Sequence, residues 1–371
     1  MDGTVSPLHG EDLSITEFLQ QPAPWKKNVL GALCFSAVAD AGAGANSDVN
    51  HKEKTQAGVE IPCMRVFMQR LDEADSFCEI WYGGARSQHA HFGDVHYRHD
   101  GNLLFGVIKQ EETGFAKCGD KTPLRQACES AYEQIFNLLD ALQYPYVFRF
   151  WNYMADINGH SFGMERYQQF NLGRQDAFLA CERSVVGNIP AACALGLAKG
   201  PLTVAFLAGR VAPLAIENPR QVSAFKYPSQ YGPRSPTFAR ACLARMSQND
   251  KQYEVLFISG TASIVGHRTC HPDDVIAQTH ETITNIEAIL VETNRVAYQP
   301  QFCLADLHFK IYVRHAADLA SIKSVLMERI GNSFRAVYLQ ADVCRYDLLV
   351  EIEAAVSYSL PSLSALSGAQ G

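Results

Sequence analysis

The 371 residues are enough for two or three ordinary domains or one duplicated fold with a sizeable core, and 47% hydrophobic, 19% charged and 10% aromatic residues exclude disordered and fibrous classes. A formal charge of -7, from 32 Lys+Arg against 39 Asp+Glu with no block of like charge, argues against nucleic acid as a partner. Asp2, Glu11, Asp12 and Glu17 precede any apolar run, unlike a secretion signal, and no apolar stretch approaches the roughly 18–20 residues that span a bilayer. A soluble, cytoplasmic protein with no membrane association is expected. The 11 cysteines lie singly with no C-x-x-C spacing, which predicts reduced thiols filling core positions rather than a zinc knuckle or redox pair.

In chain order, residues 1–90 carry strand-like runs at Val29–Ala37, Pro62–Gln69 and Phe77–Tyr82, with Ala39–Asn50 as a loop. They read as a β-rich segment or a worn third copy of the unit that follows. His89, His91, His96 and His99 fall in a hairpin-like segment without a matching cysteine or carboxylate array, so a solvated surface is expected there and no metal.

Residues 91–217 form a first unit. A short strand, Asn102–Val107, leads to an amphipathic helix over Pro123–Leu142, an alternating strand over Tyr146–Met154, a second helix over Met164–Cys181 and a last strand over Thr203–Ala208. Residues 245–357 repeat it with Leu256–Thr261, Pro272–Thr293, Leu307–Val313, Ala317–Ile330 and Leu348–Glu353. When Gly106 is laid on Gly260, Ala131, Tyr132, Ile135 and Phe136 fall on Asn285, Ile286, Ile289 and Leu290. The plan is α+β: duplicated units, each a mixed sheet backed by two helices, whose free sheet faces must pack on neighbours. Two units and a degenerate third would fill a pseudo-threefold within one chain or with another, so monomer and homo-oligomer both stay open. Between the units, residues 218–244 are rich in Pro, Tyr, Ser and Arg and predict an ordered loop lining a site. Residues 358–371 read as a small-residue tail.

Glu351 interrupts an apolar strand at the position that aligns with Phe206 of the first unit, and alternation puts it on one face with Glu353. A buried carboxyl with a raised pKa would donate a proton near neutral pH; the alternative is a strand face turned to solvent. Cys344 precedes it on the same hairpin; a lone cysteine is by itself a core filler, and its neighbour Arg345 reads as a turn cap. In the loop, Arg234 and Arg240 beside Tyr227 and Tyr231 suit a planar organic acid, because guanidinium forks grip carboxylates and rings make walls, although such loops also brace interfaces. Gly260 and Thr261 follow the first strand of the second unit, where backbone and hydroxyl could approach a ligand. Arg149, with Asn152, interrupts another apolar strand and reads as a wet sheet face or a pocket wall.

The second unit, from Leu256 to Gly260 through Gln278-Thr279 and Asn285 to Leu290 to Leu348–Glu353, resembles the RidA/YjgF family, whose members form trimers with clefts between subunits. Over nearly its whole length the chain resembles the chorismatases, through Arg149–Tyr153, Arg166–Arg174, Tyr227–Pro236 and Cys344–Glu351. The resemblance implies a RidA-like, chorismate-mutase-like fold, chorismate as substrate, no cofactor, and Glu351 as the acid that protonates the enolpyruvyl methylene so that pyruvate is released. It divides the family into members that hydrolyse chorismate to a dihydroxycyclohexadiene carboxylate and members that form 3-hydroxybenzoate, some with 4-hydroxybenzoate. Gly260 and Cys344 resemble the pair of the aromatising branch. RidA imine deaminases carry an arginine some fifteen residues before the strand glutamate; here that position is Ala336 with Arg335 beside it, which disfavours imine hydrolysis. A non-catalytic RidA-like binding module is the remaining alternative.

Overall fold

The computed structural model describes residues 13–37, 52–54, 59–73, 76–84, 87–248, 251–299 and 301–360. The expected loop at Ala39–Asn50 lies outside them. Three sheets converge on one core. The N-terminal sheet contains β1 (Val29–Ser36), β2 (Lys52–Lys54), β3 (Glu60–Phe67) and β4 (Phe77–Tyr82), in the order β2-β3-β1-β4. The first unit comprises β5 (Gln88–Phe92), β6 (Val95–His99), β7 (Leu103–Gln110), β8 (Tyr146–Ala155), β9 (Ala191–Leu197) and β10 (Leu202–Gly209). The second comprises β11 (Leu214–Ile216), β12 (Ala241–Gln248), β13 (Lys251–Thr261), β14 (His308–Val313), β15 (Arg335–Gln340), β16 (Asp342–Val343) and β17 (Val350–Leu360).

Two helices back each of the last two sheets. In the first unit they are Pro123–Ala141 and Arg166–Ala180; in the second, Val275–Val296 and Leu319–Ile330. The chain starts each long helix with chemistry suited to it: Thr122 caps the first of these by accepting from the Arg125 amide, with Pro123 at the first helical position, and Asp274 caps the third by accepting from the Ala277 amide at 2.9 Å. The periodic residues Ala131, Tyr132, Ile135 and Phe136, and Ile286, Ile289 and Leu290, are buried against the sheets, each large side chain contributing about 1.5–3 kcal/mol of transfer free energy.

In both units the strand after the first long helix pairs in parallel with the strand after the second, and antiparallel with the last: β9-β8-β10 and β15-β14-β17. The N-terminal sheet repeats this order as β3-β1-β4, with β1 parallel to β3 and antiparallel to β4. Its outer face is covered by Phe18 and Trp25 from short helical segments. The inner faces of all three sheets share one core that includes Phe35, Trp81, Trp151, Leu207, Phe257 and Tyr312. Each sheet thus gives up its helix-free side to the other two, which is the pseudo-threefold expected of the repeat.

Several boundaries differ from expectation. The first unit begins at Gln88, because β5 pairs with β6. The Pro/Tyr/Arg loop is an insertion inside the second unit: β11 precedes it, and its last residues, from Ala241, are already β12. The last strand continues to Leu360, paired with Gln252, so it absorbs Tyr358 to Leu360 of the expected tail; residues 361–371 lie outside the described residues. Cys34 and Cys78, opposite each other on antiparallel β1 and β4, form a disulfide, so these two are not the reduced thiols expected. No helix among the described residues is long and apolar enough to cross a membrane.

Candidate active site

Strand alternation places Val350 and Ile352 in the helix-side core and turns Glu351 and Glu353 inward. Phe206 is not the counterpart of Glu351. It packs on the helix side against Phe150, whereas the inward Ala205 faces Trp151 as Glu351 faces Tyr312. Because strand faces alternate, a one-residue slip in the comparison exchanges the two sides of the sheet.

Glu351 is 3% exposed. Burial, and then the neighbouring charge of Glu353, push its carboxyl up to about 8, against a smaller opposing pull from Arg149. Glu353 keeps its charge. Burial works against that, but Lys310 at 2.8 Å and Arg149 hold its carboxyl below the ordinary value. Lys310 also pairs with Glu79 of the N-terminal sheet, so two acids and two bases close a buried, neutral network where the three sheets meet. One strand therefore carries two carboxyls of opposite character two residues apart.

Glu351 opens on a cleft of about 280 Å³ between the two units. The first unit contributes Glu165, Tyr167 and Gln168 at the start of its second helix, and the inserted loop contributes Tyr227, Tyr231, Phe238 and Arg240. The second unit adds Gly260, Cys344 and Arg345. Gly260 faces the acid because the β13–β17 register shifts between Ile258 and Thr261, a bulge that re-aims the strand. A methyl group on Gly260 would overlap Oε1 of Glu351 and stand 3.3 Å from Cβ of Cys193. The Cys344 sulfur lies 3.9 Å from the other Glu351 oxygen, and burial, followed by that carboxyl, raises its thiol to about 12.

Three arginines line the cleft, Arg240, Arg268 and Arg345. Arg240 donates to the Val222 carbonyl and the Tyr227 hydroxyl, each at 2.8 Å, and its guanidinium lies over the Tyr227 and Phe238 rings. Arg345 stacks 4.0 Å from the Tyr231 centroid and donates to the His267 carbonyl at 3.0 Å. Nε of Arg240 and Nη2 of Arg345 are buried without a hydrogen-bond partner among the described residues. Unsatisfied buried donors cost free energy, and both belong to side chains that line the cleft.

Three expected residues are not in this cleft. Arg234 is exposed and does not line it; Arg345 stands where a second clamp was expected from the loop. Arg149 is neither a wet sheet face nor a cleft wall. It is buried, donating to the Ile258 carbonyl at 3.0 Å and paired with Glu353, because it faces the three-sheet junction. Thr261 spends its hydroxyl on the Ser259 carbonyl at 2.8 Å inside the bulge. Arg335 is exposed on β15 and lines a separate cavity of about 30 Å³ at the sheet junction, away from Glu351.

Sequence reasoning missed the supports of the site. Arg314 donates to the Leu348, Val343 and Arg345 carbonyls and pairs with Asp342 at 2.6 Å, fixing the turn that presents Cys344 and Arg345. In that turn, β16 pairs with β9 of the first unit and so stitches the two units together beside the cleft. Buried Gln278 donates to the Asp347 carbonyl and accepts from the Leu349 amide, while Asn285 donates to the Ala262 and Ile264 carbonyls. These amides interrupt the apolar stripe of one helix seven residues apart, a spacing that marks one face and was readable as a signal.

The profile of the chorismatase FkbO/Hyg5-like N-terminal family matches residues 79–208. A 3-hydroxybenzoate synthase of Streptomyces hygroscopicus is 37% identical over 288 residues, 76% of this chain and 82% of the relative. A chorismatase of Streptomyces rapamycinicus is 36% identical over 293 residues, covering 77% and 84%. A chorismatase crystal structure superposes with a TM-score of 0.76 at 31% identity, covering 91% of this chain and 96% of that one. The α+β architecture, the paired units around one core and the extent of these similarities agree: the chain belongs to the chorismatase family.

Proposed function

We propose that the cleft converts chorismate to pyruvate and 3-hydroxybenzoate without a cofactor, with Glu351 as general acid. The observation that carries this reading is a buried carboxyl raised to about 8, facing a cleft that also holds two arginines with unused donors. Chorismate has a ring carboxylate and a carboxylate on its enolpyruvyl ether. Arg240 and Arg345 hold the two ends as charge-assisted hydrogen-bond donors, and the rings of Tyr227, Tyr231 and Phe238 supply walls. Protonation of the enol methylene by Glu351 leaves an oxocarbenium ion at the ether carbon, and the cleft holds it next to the carboxylate just formed.

Two outcomes are then open. If water adds to the ether carbon, the ether oxygen stays on the ring, and a dihydroxycyclohexadiene carboxylate leaves with pyruvate. If the neighbouring ring hydroxyl attacks the ring carbon that bears the ether, the ring carbon–oxygen bond breaks, the ether oxygen departs as the keto oxygen of pyruvate, and the hydroxyl gives up its proton as an epoxide forms across the two ring carbons. The epoxide then opens at the carbon that first carried the hydroxyl and the ring loses a proton to become aromatic, which leaves the oxygen at position 3 and balances substrate and products with no water consumed. The relative named 3-hydroxybenzoate synthase supports the second outcome. The test is to incubate the pure protein with chorismate in metal-free buffer and identify the products by chromatography. Pyruvate with 3-hydroxybenzoate is expected, and an absence of pyruvate would refute the reading.

The branch depends on the space beside Glu351. Gly260→Ala puts a methyl group where Oε1 of the acid now lies, so the carboxyl must swing to a new position. Turnover should fall, and the product mixture should shift toward the dihydroxycyclohexadiene carboxylate. An unchanged rate and product ratio would show that Gly260 does not set the course of the reaction.

A further inference from the structure

We infer that His89, His91 and His96 form a binding site for one divalent transition-metal ion of the zinc class, which fastens the N-terminal sheet to the first unit. His91 and His96 are directly opposite each other on the hairpin formed by β5 and β6, and His89 lies two residues before His91 on the same face. The rings are crowded: the His91 and His96 centroids are 4.0 Å apart and those of His89 and His91 4.7 Å apart, both pairs edge to face. One ring nitrogen from each residue lies within 4.8 Å of the other two. Three imidazole nitrogens at about 2.0–2.1 Å from a tetrahedral ion would draw somewhat closer together, and His91 is exposed and free to turn toward such an ion.

The second observation lies on the other sheet. Glu60 of β3 sits 3.1 Å from Nδ1 of His89. A carboxylate paired with one ring nitrogen is the usual support of a metal-bound histidine, whose other nitrogen carries the metal. Three neutral imidazoles with one such support suit zinc or copper better than calcium or magnesium, which take oxygen ligands. The opposite face of the hairpin is committed to packing, with Val95 and Tyr97 buried beneath the first unit's helices. The three histidines thus lie on the side that meets the N-terminal sheet, remote in sequence from every residue lining the cleft.

The test uses full-length protein freed of any affinity tag, stripped with EDTA and titrated with zinc chloride by calorimetry. One equivalent is expected to bind at the triad. His91→Ala and His96→Ala should each weaken that binding at least about tenfold, and Glu60→Gln by about 10- to 100-fold. Zinc should raise the melting temperature of the wild type but not that of the His91→Ala/His96→Ala double variant. In EDTA the two should melt alike, which shows that the variant is folded. Exposed Cys118 and Cys303 are the competing thiols. Zinc affinity unchanged in the double variant would assign the ion to such a site, and that result, or no stoichiometric binding at all, overturns the proposal.

Discussion

Glu351→Gln should lower turnover of chorismate by about two to four orders of magnitude, the usual contribution of a positioned general acid. The amide keeps the shape of the side chain and most of its hydrogen bonding but has no proton to give to carbon. It also removes the group whose charged form is disfavoured in the cleft, so folding and substrate binding should survive. Stopped assays of pyruvate release, together with a binding measurement on the variant, separate the two effects. Retention of a tenth or more of the wild-type rate would remove Glu351 from the acid's role. Retained binding with lost turnover distinguishes an enzyme from the binding-module alternative, for which Glu351 is dispensable.

Arg345→Ala should cut kcat/KM by about ten- to a hundredfold, since a hydrogen bond to a charged group contributes about 1.5–3 kcal/mol and 1.4 kcal/mol corresponds to a factor of ten. Arg345→Lys should not restore it, because the stacked, planar guanidinium over Tyr231 has no equivalent in a compact ammonium. Arg234→Ala should leave both kcat and KM unchanged, since that side chain is exposed and does not line the cleft. Steady-state kinetics on the three variants, with melting curves to check the turn that Arg345 pins, decide the assignment. A loss confined to Arg234→Ala would return the clamp to the loop.

The contrast between the two arginines shows what the sequence could reveal. Hydrophobic periodicity locates the four long helices and three strands of each unit, because a half-buried element must repeat its apolar residues at its own period, but it does not mark β9, β12 and β15 as strands. Glu351 is visible for the same reason, as a carboxylate on an otherwise apolar strand. The direction of Arg345 is not local information. It depends on Arg314 holding three carbonyls of the turn, and on β16 joining the sheet of the other unit. Arg149 illustrates a different limit. Alternation shows that it leaves the apolar face of its strand, but not that the neighbour across the interface is Glu353 rather than a ligand. The Phe206 comparison went astray by one residue, enough to exchange the faces of a strand. The Cys34–Cys78 disulfide joins two strands whose pairing is set by the assembled sheet and not by cysteine spacing.

If a protonated, buried Glu351 starts the reaction, the pH dependence of kcat/KM for chorismate follows the protonation of that carboxyl. The acid works only in its protonated form, so activity is present below its pKa and is lost as pH rises through it. Chorismate's carboxylates do not change charge over roughly pH 5.5 to 9.5, and loss of the decline in Glu351→Gln assigns it to the acid. A plateau on the acidic side and a decline above about pH 8, approaching tenfold per unit, are expected, with the residual activity of Glu351→Gln showing no such limb. A kcat/KM that stays level to about pH 9.5, or rises with pH as a general base would require, would contradict that role for Glu351.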